Sequence, residues 1–251
     1  MIPDEISQYR PAGNLLQDRV IFVTGAGDGI GRTAATTFAT FGATVILAGR
    51  TVAKLEQVYD AIEGAGHPRP AIFPVDLAGA TEADYADMAG HLDEQFGRLD
   101  GLLHNAGLLG QRTPIANYKS DVWQSVMQVN VTAQFLLTKA LLPVLEKSRD
   151  ASVMFTSSGV GRRGKAFWGA YAVSKFATEG LAQVLAAEVE GVTDIRVNCI
   201  NPGPTRTRMR ATAYPAEDPN KLKTPQDLMP AYLFLMGPDS RGVNGQSLDA
   251  Q

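Results

Sequence analysis

The chain has 251 residues, of which 45% are hydrophobic and 20% are charged, and its formal net charge is −3. This balance predicts one globular domain with a sizeable core, and it excludes a strongly basic nucleic-acid-binding protein. The single cysteine, Cys199, excludes an intramolecular disulfide, and its strand-like setting predicts an inert core thiol rather than a nucleophile. The histidines are scattered, so no metal site is predicted. Because no leader pattern and no run of 18 apolar residues occurs, we expect a cytoplasmic protein without a membrane partner.

Residues 1–18 show no clear period and are predicted to form an arm before a single domain over residues 19–251. The domain begins with a buried strand at 20–23, a glycine-rich turn at 24–31, and a helix with apolar residues at helical spacing. Glycines allow the backbone to approach a pyrophosphate closely, and the first N–H groups of the helix bind it. Such a segment can also be no more than a tight turn, but its strand and helix context favours nucleotide binding.

The second strand, Thr44–Gly49, ends in Arg50. An acidic residue at this place binds a ribose 2′-hydroxyl and an arginine suits a 2′-phosphate, so NADP(H) is favoured and NAD(H) stays open. The alternative is that Arg50 is only a solvated surface charge.

The third strand, 71–75, ends in Asp76 and Leu77, and the fourth, Gly101–His104, ends in Asn105-Ala106-Gly107. In open α/β sheets ligands bind at this carboxyl edge.

A long helix is predicted over 121–145, and Asn130 lies inside it. Asparagine is a poor helix former, so its side chain either faces solvent or serves a polar purpose. After a fifth strand at 151–155, a helix over 170–190 carries Tyr171 and Lys175 four residues apart, on one face. A neighbouring cation lowers the pKa of a phenol toward a range useful for acid–base catalysis. About 0.2 such pairs are expected by chance in a chain of this composition, so the pair alone is weak evidence.

A sixth strand at 195–200 leads into Pro202-Gly203. Residues 208–230 are predicted to form a substrate-binding loop or lid, within which a helix starts near Thr224 and runs to residue 236. A short strand at 245–249 ends the pattern. The alternation of strands and helices along the chain predicts an α/β fold of the Rossmann type in a single domain. Its sheet is expected to be doubly wound and mostly parallel, with about seven strands and helices on both faces.

Taken together, these segments resemble the short-chain dehydrogenase/reductase family over residues 19–249, and most of all its YciK-like bacterial branch. The motifs that carry the resemblance occur in family order and are Thr24-Gly-x-x-x-Gly-x-Gly31, Asn105-Ala-Gly107, Asn130, Ser158, Tyr171-x-x-x-Lys175 and Pro202-Gly203. The resemblance implies an NAD(P)-dependent enzyme that transfers hydride between its cofactor and a carbonyl or secondary alcohol.

The resemblance also assigns roles. Tyr171 is expected to be the general acid in reduction and the base in oxidation, and Ser158 to bind the substrate oxygen. Lys175 is expected to lower the pKa of Tyr171 and hold the nicotinamide ribose, and Asn130 to position a water that relays protons. Cofactor contacts are expected from Gly25, Gly27, Asp28, Gly29, Ile30, Gly31, Arg50, Asp76, Leu77, Asn105, Ala106, Gly107, Tyr171, Lys175, Pro202, Gly203, Thr205 and Thr207.

Three positions depart from the family pattern. Asp28 stands where many NADP-using relatives carry a basic residue, which weakens the NADP prediction. His104 replaces a more usual asparagine and is interpreted as a structural variation rather than a catalytic histidine. The C-terminal end lacks the family's Asp-Gly-Gly, which puts the tetramer contact in question, so a homodimer through helices 121–145 and 170–190 or a homotetramer is expected.

The sequence leaves two alternatives open. A dinucleotide-binding scaffold or sensor without turnover is the alternative to an enzyme, although it gives the four catalytic residues no purpose. The small-molecule substrate is either anionic, drawn by cations near the entrance, or neutral, with Phe167 and Trp168 lining an apolar pocket and the cations simply solvated. The cations are Arg162, Arg163, Lys165, Arg206, Arg208 and Arg210.

Overall fold

The computed structural model describes residues 6–251, and seven strands within them form one parallel sheet. The strands are β1 (Val20–Thr24), β2 (Thr44–Gly49), β3 (Ala71–Pro74), β4 (Gly101–His104), β5 (Ala151–Thr156), β6 (Ile195–Asn201) and β7 (Ser247–Asp249). Their order across the sheet is β3-β2-β1-β4-β5-β6-β7, and every neighbouring pair is parallel. The chain reverses its direction across the sheet between β1 and β4, so the loops that follow these two strands diverge and leave a crevice. The predicted fold class is confirmed.

Helices cover both faces of the sheet, because alternate side chains of each strand enter opposite cores. In β1, Ile21 and Val23 belong to one core and Phe22 to the other. The helices are α1 (Gly29–Thr40), α2 (Val52–Gly64), α3 (Glu82–Phe96), α4 (Ser120–Met127), α5 (Ala133–Leu145), α6 (Gly169–Val189), α7 (Arg208–Ala213) and α8 (Met229–Met236). The first core packs against α1, α2 and α8, and the second packs against α3, α5 and α6.

The long helix predicted over 121–145 is divided by a turn of π-helix at Gln128–Thr132, which joins α4 to α5. Asn130 lies within this turn and is fully buried, which excludes a solvent-facing role for its side chain. A π turn holds one residue more than an α turn and occurs mostly at functional sites. Sequence periodicity does not reveal it, because apolar residues continue on both sides.

The segment predicted as a loop or lid over 208–230 contains helix α7 and a 3-10 turn at Pro219–Lys221 before the helix expected near Thr224. Thr207 caps α7 by accepting a hydrogen bond from the Arg210 N–H at 3.2 Å. A helix of six residues is too short to show a period, which is why the sequence pattern does not indicate it. The helix expected from Thr224 begins as a 3-10 turn, Gln226–Leu228, and continues as α8.

The described part of the N-terminal arm packs on α8. Ile6 and Leu16 are buried, and the ring of Tyr9 meets Phe234 edge-on at 5.3 Å while its hydroxyl donates to Asp239 at 2.6 Å. Residues 1–5 of the predicted arm lie outside the described residues. Among residues 6–251, none of the helices has the length and apolar character needed to cross a bilayer.

Candidate active site

A tight glycine turn after β1 opens one end of the crevice. Gly25 has a φ of +67°, a left-handed conformation that favours glycine. A Cβ at Gly31 would overlap the Gly25 carbonyl oxygen and lie 2.5 Å from the Asn105 side-chain nitrogen. The turn therefore lies directly against the start of α1, and the missing side chains leave the backbone open to a phosphate group.

Hydrogen bonds join this turn to the loop after β4. The Thr24 hydroxyl accepts from the N–H groups of Asn105, at 2.9 Å, and Ala106, at 3.1 Å, and it donates to the Leu103 carbonyl at 3.2 Å. Asn105 and Ala106 are thus fixed beside the glycine turn. The two loops that diverge at the crevice form one rigid floor.

The side chain of Asp28 is neutralised by Lys54. Its carboxylate accepts from Lys54 Nζ at 2.5 Å and from the Gly29 N–H at 2.8 Å, and the Lys54 bond in particular lowers its pKa. Arg50 and Lys54 line the same stretch of the crevice. The negative charge of Asp28 is therefore balanced by Lys54, which leaves the Arg50 guanidinium beside it without a carboxylate within ion-pair distance among residues 6–251.

The crevice has a volume of about 780 Å³ and brings most of the predicted site residues together. Of the predicted residues, Gly31 and Asn130 lie behind its wall, and all the others line it. The wall also contains residues that the sequence did not indicate, among them Lys54, Leu109 and Tyr214. Lys54 carries a usable signal, since it lies four residues after Arg50 in the first turn of the next helix; Leu109 and Tyr214 carry none.

Tyr171 and Lys175 point from one face of α6 into the centre of the crevice, and both are buried. Lys175 Nζ donates to the Thr156 carbonyl at 2.6 Å and lies 5.6 Å from the centre of the Tyr171 ring. The Ser158 side chain lies near the Tyr171 phenol and lowers the pKa of that phenol. A Cβ at Gly161 would lie 2.8 Å from Lys175 Cβ, so this glycine lets the Ser158 loop pack on α6.

Burial dominates the ionisation of this pair. It raises the pKa of Tyr171 to about 12, and the neighbouring Ser158 side chain opposes that rise. The lowered phenol pKa expected from the sequence is not found in this structure, in which the Lys175 ammonium is bonded to a backbone carbonyl. Burial likewise lowers the pKa of Lys175 to about 8.

Asn130 connects the π turn to the wall of the crevice. Its side-chain oxygen accepts from the Leu108 N–H at 2.7 Å, and its side-chain nitrogen donates to the Leu108 carbonyl at 2.9 Å and to Ser174 Oγ at 3.0 Å. The buried polarity is therefore used to fix the loop after β4 against α6.

His104 is structural. It is buried, stacks on Phe155 at 4.7 Å and lies 2.8 Å from the Thr138 hydroxyl through Nε2. Burial, aided by the Lys175 charge, lowers its pKa to about 3, so the ring stays neutral.

Cys199 is buried, and burial raises the pKa of its thiol well above the usual range, which fits an inert thiol. Within residues 6–251, no three His, Cys, Asp or Glu side chains are grouped so that they hold a metal ion.

The other end of the crevice is an aromatic slot. The Trp168 ring lies 5.7 Å from Tyr171 and 5.9 Å from Tyr214, and Arg112 places its guanidinium 4.7 Å from both the Trp168 and Tyr214 ring centres. Phe167, the other aromatic residue expected there, is exposed and outside the wall. Arg112 was not predicted, because it reaches the slot from far away in the sequence.

Of the six cations expected at the entrance, the structure brings three to the crevice, Lys165, Arg208 and Arg210. Arg210 is paired with Glu217 through two short bonds. Arg162 is turned toward Asp249, at 2.8 Å. The remaining two, Arg163 and Arg206, are exposed and outside the wall.

We expect the Lys175→Met variant to be more stable than the parent protein at pH 7, by roughly 1–3 kcal/mol, and to lose activity. The pKa of Lys175 falls from 10.5 to about 8 on folding, so below pH 8 the folded state holds a buried charge at a cost. As the pH rises from about 8 to 10.5, the unfolded chain binds more protons at this site, and this cost disappears. Urea unfolding of the parent protein and the variant at pH 7 and pH 9.5 measures the difference in their free energies of unfolding. The advantage of the variant must shrink at the higher pH, and an equal advantage at both values would contradict the burial argument.

Comparisons with known proteins agree with this geometry. Residues 19–218 match the model of the family described as short chain dehydrogenase. The oxidoreductase YciK of Escherichia coli (strain K12) is 57% identical over 243 residues, which are 97% of this chain and 96% of that protein. These matches confirm the resemblance to the family and to its YciK-like branch.

Two similar crystal structures contain a nucleotide. A short-chain dehydrogenase from Shigella flexneri 2a, complexed with NADP, has a TM-score of 0.93 and 56% identity, and the match covers 96% of this chain and 100% of that one. One from Escherichia coli CFT073, complexed with NADPH, has a TM-score of 0.94 and 57% identity, with the same coverage of 96% and 100%.

Proposed function

Because the chain belongs to the short-chain dehydrogenase/reductase family, we propose that it is an NADP(H)-dependent oxidoreductase that acts on a carbonyl or secondary alcohol, with Tyr171 as general acid and base. The observation that carries the proposal is that Ser158, Tyr171 and the buried Lys175 line the same crevice, where the Ser158 side chain influences the pKa of the Tyr171 phenol. A protein that only binds a dinucleotide would not need these three side chains together.

The residues present fit a dinucleotide phosphate. The glycine turn leaves space that a Cβ at Gly25 would fill, 3.1 Å from the Ala106 Cα, and α1 presents its N-terminus there. Arg50 and Lys54 would bind the 2′-phosphate at the end of β2, and Asp76 and Leu77 would border the adenine. Two relatives complexed with NADP and NADPH support the same choice of cofactor.

The bound nicotinamide supplies or accepts the hydride, and the protein handles the proton. In reduction, the Tyr171 phenol donates its proton to the carbonyl oxygen, and its raised pKa keeps that proton in place at neutral pH. The Ser158 hydroxyl donates a second hydrogen bond to the same oxygen as negative charge develops there. The Lys175 ammonium stabilises the phenolate that remains. Oxidation of an alcohol uses the same groups in reverse. The water relay at Asn130 stays a prediction.

A panel of carbonyls and alcohols, assayed with NADPH, NADH and their oxidised forms by absorbance at the nicotinamide band, tests the proposal. We expect turnover with at least one carbonyl and a preference for NADPH. A folded protein that binds NADPH without turning over any member of a broad panel would favour a scaffold or sensor instead.

We expect the Arg50→Ala variant to weaken NADPH binding about tenfold to a hundredfold, as expected for a lost charge-assisted bond, and to change NADH binding little. Arg50 is exposed at the crevice wall, so its removal leaves the core intact. Arg32→Ala is the matched control, because Arg32 is exposed on α1 outside the wall. Dissociation constants from fluorescence titration decide it: an equal loss for both cofactors would show that Arg50 does not read the 2′-phosphate.

We also propose a homo-oligomer. Apolar side chains are exposed on α5, at Phe135, and on α6, at Val173, Phe176 and Val184. A second copy of the chain packed through these helices would cover them, as the family leads us to expect. Sedimentation equilibrium measures the mass of the particle in solution.

The cytoplasmic location expected from the sequence stays a prediction, which cell fractionation tests.

A further inference from the structure

We propose that the substrate carries an oxyanion, a carboxylate or a phosphate, and that Lys165 binds it at the far end of the aromatic slot. This inference rests on the proposed function, since it places the oxyanion at one end of a substrate whose carbonyl meets Tyr171. It commits the crevice to an anionic substrate rather than a neutral one.

The shape of the slot sets the class of substrate. Its wall is apolar between the reacting hydroxyl and the cations, with Leu109, Val160 and Met209 packed against Trp168 and Tyr171. The Trp168 ring contacts both Tyr171 and Tyr214. The cations around Tyr214 are therefore separated from the Tyr171 phenol by the width of the Trp168 side chain. A substrate that fits has an aryl or short alkyl spacer between its carbonyl and its oxyanion.

The charge at the far end is unbalanced. Arg112, Lys165 and Arg210 surround the Tyr214 ring, with the Arg112 guanidinium carbon at 4.7 Å, the Lys165 nitrogen at 5.6 Å and the Arg210 guanidinium carbon at 3.9 Å from its centre. Glu217 neutralises Arg210 alone. Throughout residues 6–251, Arg112 and Lys165 have no carboxylate within ion-pair distance. Arg112 donates to the Ala213 carbonyl and lies outside the crevice wall. Lys165, which lines the wall, therefore lacks a counter-charge that a ligand oxyanion would supply.

Lys165 already holds an oxygen at this place. Its Nζ donates to the Tyr214 hydroxyl at 3.1 Å, and the pKa of that phenol is lowered by Lys165, Arg210 and Arg112 against the effect of burial. Nearby, the buried indole N–H of Trp168 meets no acceptor among the described residues. The positive field at the Tyr214 hydroxyl therefore favours an incoming oxyanion beside Lys165.

Binding to the protein saturated with NADP+ tests the inference without any turnover. Benzoate, phenyl phosphate and the neutral benzamide are titrated by calorimetry. We expect benzoate or phenyl phosphate to bind at least about tenfold more tightly than benzamide, and whichever binds more tightly identifies the oxyanion. Equal binding of all three probes, or no binding of either anion, would overturn the proposal.

Two variants separate a specific contact from general attraction. Lys165→Gln is expected to lose most of the anion preference, whereas Arg163→Gln, the same loss of charge on the same loop but outside the wall, keeps it. An equal effect of both variants would overturn the role of Lys165. A protein that keeps the anion preference but turns over no carbonyl would refute the proposed function while still showing an anion site at Lys165.

Discussion

The Tyr171→Phe variant is expected to reduce an accepted carbonyl about 100-fold to 10,000-fold more slowly than the parent protein, with NADPH binding unchanged. The substitution removes only the hydroxyl, and the ring keeps its contact with Trp168. A raised phenol pKa of about 12 means that the parent protein holds this proton throughout the neutral range. Without it, the carbonyl oxygen receives a hydrogen bond from Ser158 alone and no proton.

Tyr85→Phe is the matched control for that experiment. Tyr85 is a buried residue of α3 whose hydroxyl has no hydrogen-bond partner among residues 6–251. Its ring packs in the second core and does not line the crevice. We expect its kcat to equal that of the parent protein. Single-turnover absorbance measurements give the rate of the chemical step, and fluorescence titration gives the affinity for NADPH. A rate in Tyr171→Phe equal to that of the parent protein would refute the general-acid role.

The Gly31→Ala variant is expected to weaken NADPH binding about tenfold or more and to lower the stability by about 1–3 kcal/mol. A Cβ at this position would lie 2.5 Å from the Asn105 side-chain nitrogen and would overlap the Gly25 carbonyl. The glycine turn must then move away from α1 and from the loop after β4. Both the phosphate cradle and the floor of the crevice lose their shape.

Gly90→Ala provides the control. Gly90 lies inside α3, is exposed, and a Cβ there would meet no atom within 4 Å. Alanine favours a helix over glycine by up to about 1 kcal/mol, so this variant should be slightly more stable and bind NADPH normally. Thermal unfolding and calorimetric titration of both variants show the contrast. Normal NADPH binding by Gly31→Ala would mean that the turn tolerates the displacement.

The sequence predicts the features of this fold that depend on local pattern. Buried strands and the glycine turn after β1 are visible because each is a contiguous run with its own composition. The position of Arg112 cannot be predicted from the sequence, because its contacts with Trp168 and Tyr214 join residues that only the folded chain brings together. The raised pKa of Tyr171 depends on burial, which a neighbouring lysine in the sequence does not reveal.

The π turn at Gln128–Thr132 also limits how this protein can change. It amounts to one residue inserted into a helix, and deletion of one residue would restore ordinary helical bonding. The deletion would also rotate α5 by about 100° relative to α4, since one residue of an α-helix subtends that angle. Leu137 and Leu141, now buried in the core, would leave it. The packing on both sides therefore retains the irregular turn, and a single deletion that removed it would turn the apolar face of α5 out of the core.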